Sequence, residues 1–430
     1  MELIVDLHIH SHYSRATSPQ CTFEGLYRWG KLKGIAIIGT GDFTHPAWFA
    51  EMRDKLEPAE GGLFKLKDQL ATAIDQELPE TVRHNTIRFI PTVEISTIYS
   101  KLGKVRKLHQ IIAAPDFETV SAINARLERI GNLKSDGRPI LGLDSKELLR
   151  LTLEANPDAF FLPAHIWTPW FGMFGSKSGF DSIAEAYDEL APHIRAIETG
   201  LSSDPAMNWR VKDLDGLAVV SHSDAHSPQK LGREATVVNA QLSYADIIGA
   251  YRTNDQRMVG TIEFFPQEGK YHYDGHRACR IRFTPKETKA HGGICPACRK
   301  PLVVGVDYRV DEMADYPLGH QPNPPKRVEY IIPLPEIVAE LNQVKSVGSV
   351  KVIQEVDRLY RQLGDEFTIL RKLSVEQIRA AGFELLALAI DRMRRRDVAI
   401  EPGYDGVYGT IKVFKSPDER QRTMNQLSLL

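Results

Sequence analysis

Cysteine is scarce in this chain: four residues in 430, at positions 21, 279, 295 and 298. Three of the four fall within twenty residues of one another, which is no disulfide framework spread over a secreted fold. A reduced compartment with a local metal site is the expected setting, and the cytoplasm is the default. No apolar run is long enough to span a bilayer, so a membrane is not an expected partner. The N-terminus lacks the charged-then-apolar layout of a signal peptide, because acidic and histidine residues appear at once. A large excess of one charge is missing too. The formal net charge is −2, so any contact with nucleic acid has to come from local basic patches. There is no internal repeat and no low-complexity tract.

What is present is a long alternation of strand-like and helix-like patterns. ELIVDL, GIAIIGT (34–40), TIRFIPTVEI (86–95), HQIIAA (109–114), AFFLPAH (159–165), IRAIET (194–199) and GLAVVSH (216–222) are β-rich runs. Between them lie helix signals. Asp144 and Glu147 have capping-box spacing before KELLRLTLEA, and DSIAEAYDELA (181–191) has amphipathic spacing. Repeated strand–helix units imply an α/β fold with a parallel sheet, and seven runs suggest closure into a barrel; a doubly wound open sheet is the alternative. Residues 1–250 are expected to form this unit. The next stretch, 251–322, is short-patterned, turn-rich and cysteine-bearing, as expected of a small zinc-binding module. From the Pro-rich NPPKR (323–327) onward, 323–430 is expected to be a mainly helical C-terminal domain that binds DNA. VKVIQEVDRLYRQL and SVEQIRAAGFELLALAIDRMRRR carry helical spacing there, with Ser374 and Gln377 placed as a capping box.

The first strand-like run ends in HIHSH. Residues two apart on a strand share a face, so His8, His10 and His12 would project together, a spacing that suits metal ligation by neutral imidazole. The other runs also lead to ionisable residues: Asp42 and His45, Glu94, His109, His165, Glu198, then His222, Asp224 and His226. In a parallel α/β barrel the carboxyl ends of the strands form one rim, where these side chains would converge. Mixed imidazole and carboxylate ligands suit zinc, manganese or iron rather than calcium or magnesium alone. So many ligands exceed what one ion uses, and a bridging carboxylate, Glu94, would let two or three ions share the cleft.

DLHIH, the TGD segment, PTVEIS, KLHQ, PAH and SDAH, in this order, resemble the successive motifs of the PHP (polymerase and histidinol phosphatase) superfamily over residues 1 to about 240. The resemblance implies a distorted (β/α)7 barrel with a multinuclear centre of two or three divalent metals (zinc, manganese or magnesium) that hydrolyses phosphoesters. Carried over motif by motif, His8, His10, Glu94 and Asp224 would hold the first metal, Glu94, His109 and His165 the second, and His226 would serve a third. Two departures bear on that third site. Asp42 stands where the superfamily usually has a histidine, and Ala16 stands where another is common, so Asp42 with His12 or His45 would have to complete it. Glu94 and Asp224 are the expected catalytic carboxylates. Glu198 would orient water or substrate, or else pair with a neighbouring Arg.

HRAC (276–279) followed by CPAC (295–298) places His276, Cys279, Cys295 and Cys298 on two tight turns, the pattern of a closed structural zinc site. His272, Asp274 and His291 compete with His276 for the fourth position. Between His165 and Asp181, Trp167, Trp170, Phe171 and Phe174 crowd one rim loop, either to stack on a base or to form a lid over the cleft. Gly175, Ser176 and Lys177 in GSKSG offer backbone donors and a cation for a phosphate or a flipped base. In the tail, RMRRRD (392–397) is either a solvated helix end or a phosphate contact, and EPGYDGVYG either presents Tyr404 and Tyr408 to bases or only turns the chain.

The order of barrel, cysteine module and helical tail resembles the endonuclease Q family over essentially the full chain, through GTGDFTHP, PAHIWTPWFG, YHYDGHRAC and ICPAC. The resemblance implies a repair endonuclease that cuts DNA on the 5′ side of deaminated bases (uracil, hypoxanthine, xanthine) or abasic sites. DNA containing damaged bases is then the expected partner. A sliding clamp is a further expected partner, although the closing QLSLL is too degenerate to carry it. Two rival readings are a phosphatase of a small phosphate monoester or nucleotide, and a DNA-binding scaffold with a purely structural metal.

Overall fold

The structure is a computed structural model, and it describes residues 1–416, 419 and 420; the terminal QLSLL lies outside them. Every one of the seven β-rich runs contains a strand, but the strands do not close into one barrel among the described residues. They pair in separate sheets. The largest has eight strands in the order Arg327–Tyr330, Met258–Glu263, Ala235–Asn239, Glu2–Asp6, Ile37–Gly39, Arg88–Ile90, Phe64–Leu66 and Leu56–Pro58. At its centre Glu2–Asp6 runs parallel to Ile37–Gly39 and antiparallel to Ala235–Asn239. A second sheet orders Ile140–Leu141, Thr92–Lys101, Lys104–Ala113 and Phe160–Pro163, and Ala196–Glu198 pairs in parallel with Ala218–Val220.

The break between the two larger sheets has a local cause. The run 86–95 divides at Pro91, which has no N–H for a ladder, into Arg88–Ile90 in one sheet and Thr92–Lys101 in the other. Thr92–Lys101 then folds back on Lys104–Ala113 as an antiparallel hairpin. Its turn residues Leu102 and Gly103 both have positive φ (51° and 71°), the backbone twist that two-residue hairpin turns favour. A hairpin at this point is incompatible with uniform strand–helix alternation. The fold is therefore mixed α/β with parallel and antiparallel pairs.

Helix boundaries follow local chemistry. Asp144 caps Ser145–Ala155, and Ser374 with Gln377 makes the reciprocal capping box of Val375–Ala380. The periodic stretch that follows is not one helix: Gly382, at φ 85°, separates Val375–Ala380 from Glu384–Arg394. The stretch 181–191 likewise holds only the short helix Ile183–Tyr187 before a 3-10 turn.

The large sheet does not stop where the first unit was expected to end. Met258–Glu263 and Arg327–Tyr330 pair in parallel at one side of it, with Arg327–Tyr330 as the edge, and flank the cysteine-bearing segment in the chain. The helical region also returns to the N-terminal part. Lys33 forms a buried ion pair with Glu366 at 3.1 Å, and Glu366 accepts from Leu334 N and Tyr360 Oη as well. No helix among the described residues is long and apolar enough to cross a membrane.

One buried pair makes this fold pH-sensitive. Ala235 lies opposite Ile262, which brings the adjacent Glu234 and Glu263 together, both fully buried. Burial first, then the neighbouring Glu263 carboxyl, push Glu234 well above the usual carboxylate range. Burial does the same to Glu263, although the Ser221 hydroxyl donates to it at 2.5 Å. A carboxyl raised in the fold stabilises it below the unfolded value of about 4.3, and that stability is lost as pH rises toward the folded value. Glu234→Gln is accordingly expected to raise the melting temperature by a few degrees at about pH 8, and to lose this advantage near about pH 4. Thermal unfolding across a pH series measures both.

Candidate metal centres and cleft

Two backbone segments are zippered beneath the cleft. Past Glu2–Asp6, His10 N donates to Ala225 O (3.0 Å) and Ala225 N to His8 O (3.3 Å). Asp6 fixes the second segment from below, accepting from Ser223 N and Gly232 N at 2.9 Å each. Arg233 donates to the carbonyls of Ser223 and Asp224, and Asp224 has the left-handed φ of 46°. These constraints bring His8, His10 and Asp224 to one point, where Glu94 arrives from the hairpin strand.

The imidazoles are oriented from behind. His8 Nδ1 donates to Glu198 (3.0 Å) and His10 Nδ1 to Asp42 (3.1 Å), which turns both Nε2 atoms into the cleft. There they lie 3.4 and 3.2 Å from Glu94 Oε2, and 3.5 and 3.2 Å from Asp224 Oδ1. His8 Nε2, His10 Nε2 and Asp224 Oδ1 are buried without a hydrogen-bond partner. Of the four ligand-type atoms, these three have no hydrogen-bond partner and Glu94 Oε2 is shared with Arg138, and the four converge closely enough to fit a divalent cation. The other oxygen of Glu94, Oε1, is 2.6 Å from His109 Nδ1 and 3.0 Å from His165 Nε2, and forms a second such group. One carboxylate thus faces two ligand sets.

Electrostatics follow the same division. Burial lowers the His8 imidazole, but Glu198, Glu94 and Asp224 outweigh it and hold it well above its ordinary value. Burial opposes ionisation of Glu94, yet His109, Arg138 and His8 carry its carboxyl well below the usual range. Burial keeps the His109 imidazole down to about 4 against the pull of Glu94, which leaves it neutral and ready to ligate.

Several expected residues lie elsewhere. Asp42 stands one layer behind His10, and its second oxygen is filled by Ser11 N, Ser11 Oγ and Ser14 Oγ at 2.7–2.8 Å. Both of its oxygens are thus engaged by hydrogen bonds, one of them to the His10 ring. His12 bonds the carbonyl of Cys21 at 3.2 Å, and His45 stacks on Tyr13 at 4.3 Å. Neither imidazole bonds the Asp42 carboxylate, although His45 N donates to Asp42 O at 2.9 Å. His226 packs its ring 4.5 Å from that of His10, with Nδ1 3.5 Å from Asp224, beside the first group and outside it. Among the described residues the cleft therefore has two ligand groups, and a third is not assembled. Glu198 is fully buried; it accepts from His8, His222 and His165 N, touches no Arg, and does not face the cleft. Burial raises its carboxyl, but His8 and His222 bring it down to about 2.

The rim loop is also partly structural. Trp167 is buried and its indole donates to Asn208 (2.8 Å), and Phe174 is buried too. Three amides of the GSKSG turn are used internally: Gly175 N bonds Gly172 O, Lys177 N bonds Pro169 O and Gly179 N bonds Gly175 O. Ser176 and the Lys177 side chain are exposed. Phe171, at φ 67°, lays its ring 4.4 Å from His109, while Trp170 is 47% exposed. Arg138 escaped sequence reasoning. It donates from Nη1 to Glu94 Oε2 at 2.9 Å, from a loop held by Gly137 N to Tyr13 O and by Asp136. Nothing in SDGRPI carries a metal or phosphate pattern that would single it out.

Away from the cleft, His276, Cys279, Cys295 and Cys298 converge, with Cys298 Sγ 3.6 Å from His276 Nδ1. The competitors are engaged otherwise: His291 stacks on Phe283 at 4.8 Å, His272 on Tyr273 at 5.0 Å, and Asp274 accepts from Gly305 N. Three thiols and an imidazole on turns of this kind fit zinc. Cys21 is separate and buried, its thiol pushed up to about 12.

No family model matches the chain. Solved structures do. The chain resembles the lesion-specific endonuclease PfuEndoQ of Pyrococcus furiosus with 28% identity and a TM-score of 0.82, covering 98% of this chain and 99% of that one. It also resembles endonuclease Q in complex with a 27-mer duplex that carries an abasic lesion at the active site (29% identity, TM-score 0.80, 97% and 98% covered). Among curated proteins it is 28% identical over 277 residues to the uncharacterized protein MJ0043 of Methanocaldococcus jannaschii, and 29% over 257 residues to the uncharacterized YqxK of Bacillus subtilis. These matches span 60% and 59% of this chain, but only 33% and 60% of those proteins.

Metal analysis of purified variants tests the groupings. Cys298→Ser is expected to lose about one equivalent of zinc and to melt earlier. Glu94→Gln is expected to keep that zinc and lose the cleft metal instead.

Proposed function

The chain belongs to the endonuclease Q family, and on that footing we propose that it is a metal-dependent DNA repair endonuclease cutting the phosphodiester on the 5′ side of a damaged nucleotide. The observation that carries the reading is the Glu94 carboxylate standing between two ligand groups, His8, His10 and Asp224 on one side and His109 and His165 on the other. It is supported by a structural neighbour that holds an abasic lesion in duplex DNA at its own active site. Deaminated bases (uracil, hypoxanthine and xanthine) belong to the proposed substrate range. PHP superfamily membership is part of the proposal, as is the division into a phosphoesterase unit, a zinc module and a helical C-terminal region. The cytoplasm suits its three clustered thiols.

His8, His10, Glu94 and Asp224 would hold one divalent ion, and Glu94, His109 and His165 another. Divalent ions bound there would supply Lewis-acid activation of water and neutralise charge on the reacting phosphate. The chain's own groups do the rest. Glu198 and Asp42 fix the tautomers of His8 and His10, so each presents a lone pair. Arg138, 30% exposed at its side chain, stands beside Glu94 at the cleft, and its planar fork would suit the non-bridging oxygens of a bound phosphate. A base flipped from the stack meets Trp170 and Phe171 at the rim, with Lys177 beside them. His276 and the three cysteines would hold a zinc that shapes the module and takes no part in the chemistry.

Gel cleavage of a labelled duplex with a single abasic site or deoxyuridine, in manganese or magnesium, tests the reading. A single nick on the 5′ side of the lesion is expected, and none in undamaged duplex. Turnover of a phosphate monoester without any nick would replace the proposal with a small-molecule phosphatase. Asp224→Asn is expected to abolish nicking while DNA binding persists. Arg138→Met is expected to lower kcat about a hundredfold with metal content unchanged.

A further inference from the structure

The EPGYDGVYG segment is docked by its backbone. Its flanking strands Ala399–Glu401 and Thr410–Lys412 pair with each other, and the turn between them is bonded to the start of the cysteine module. Gly403 N donates to Gln267 O, Gly406 N to Lys270 O and Gly409 N to Glu268 O, at 2.8–3.0 Å; Tyr273 N returns a bond to Gly403 O. A Cβ at Gly403 or Gly409 would collide with neighbouring backbone, so the glycines serve this close approach. Docking this tight leaves Tyr408 with nothing to pack on: its ring is 71% exposed.

That ring does not stand alone. Lys270 Nζ sits 5.8 Å from the Tyr408 ring and 5.6 Å from that of Tyr271. Tyr271 meets Trp170 edge-on at 6.4 Å. The next residue, Phe171, lies against His109 in the cleft, with Lys107 5.7 Å above its ring. Rings from the rim loop, the cysteine module and the C-terminal hairpin thus form one stripe that starts at the ligand cluster and is interleaved with two lysines. Aromatic faces stack on any base, and the ammonium groups suit the phosphates between bases; single-strand binding sites combine the same two elements.

We propose that the stripe through Trp170, Tyr271 and Tyr408, with Lys270, is the surface that receives unpaired bases of the DNA strand leading away from the cleft. The proposal rests on the endonuclease reading for its substrate, but its test does not depend on cleavage. Fluorescence anisotropy with an abasic duplex whose lesion strand continues as a single-stranded extension, no divalent metal added, reads affinity alone. Tyr271→Ala/Tyr408→Ala in the full chain is expected to weaken binding about tenfold, and Phe at both positions to restore it. Tyr408→Ala alone, at an exposed position, is expected to weaken binding with an unchanged melting temperature. Lys270→Gln is expected to reduce the slope of log affinity against log salt by about one. Wild-type affinity in the double alanine variant would overturn the stripe whether or not the protein cuts DNA. A wild type that binds but never nicks would instead remove the endonuclease reading and leave the stripe standing.

Discussion

The carboxylate of Glu94 is the point on which the structure converges. It is buried with one oxygen toward His8 and His10 and the other toward His109 and His165, and Arg138 lies against it. An ionised carboxylate out of water is tolerable only with such partners. The surrounding fold is arranged to deliver them: the His8–His10 segment from the central strand, the Asp224 turn zippered to it, the hairpin that carries both Glu94 and His109. Behind these stand Glu198 and Asp42, which fix ring orientation, and Asp6, which fixes backbone. Each layer has its polar groups satisfied by the next, except for the atoms that face the cleft.

How much of this was legible in the sequence depends on the kind of signal each residue leaves. His8, His10, Glu94, His109, His165 and Asp224 end or begin apolar runs, and it was the expected parallel sheet, together with the resemblance in motif order, that put them on one rim. Depth leaves no such trace. Asp42 and Glu198 sit at strand ends as those six residues do, and only the donors around them reveal that their oxygens are engaged by hydrogen bonds. Trp167 and Trp170 are three residues apart in one aromatic loop, yet one is in the core and the other in solvent. Arg138 comes from an irregular loop, where position is set by tertiary bonds to Tyr13 and Asp136 and not by period. The sheet arrangement was obscured for a related reason: Pro91 is a single residue inside the run 86–95, and the Leu102–Gly103 turn is a two-residue event between that run and 109–114.

The arginine-rich helix end shows composition misleading in the other direction. Arg394 donates to the carbonyls of Ile369, Leu370 and Leu373, Arg392 reaches Asp397 O and Glu419, and Arg396 lies over Tyr330 at 3.8 Å. Arg395 pairs with Asp391 one turn back. A run that suggests a phosphate contact is used to close the helical region and fasten it to the outer strand. The cationic groups placed at the cleft and its stripe are scattered singly, at positions 107, 138 and 270.

Arg327–Tyr330 is a short strand, yet it covers the outer side of Met258–Glu263 along the length of the ladder. The chain between the two is the cysteine module. A shortened protein ending ahead of the helical region would therefore lose more than a domain. It would leave the Glu263 strand with a row of unpaired amides and carbonyls, a template for pairing with another copy. Lys33 would keep its charge in a site built for Glu366, now without a partner. The parts are separable in sequence and not in folding: the order in which this chain is synthesised leaves its largest sheet without that edge strand until the cysteine-bearing segment has already emerged.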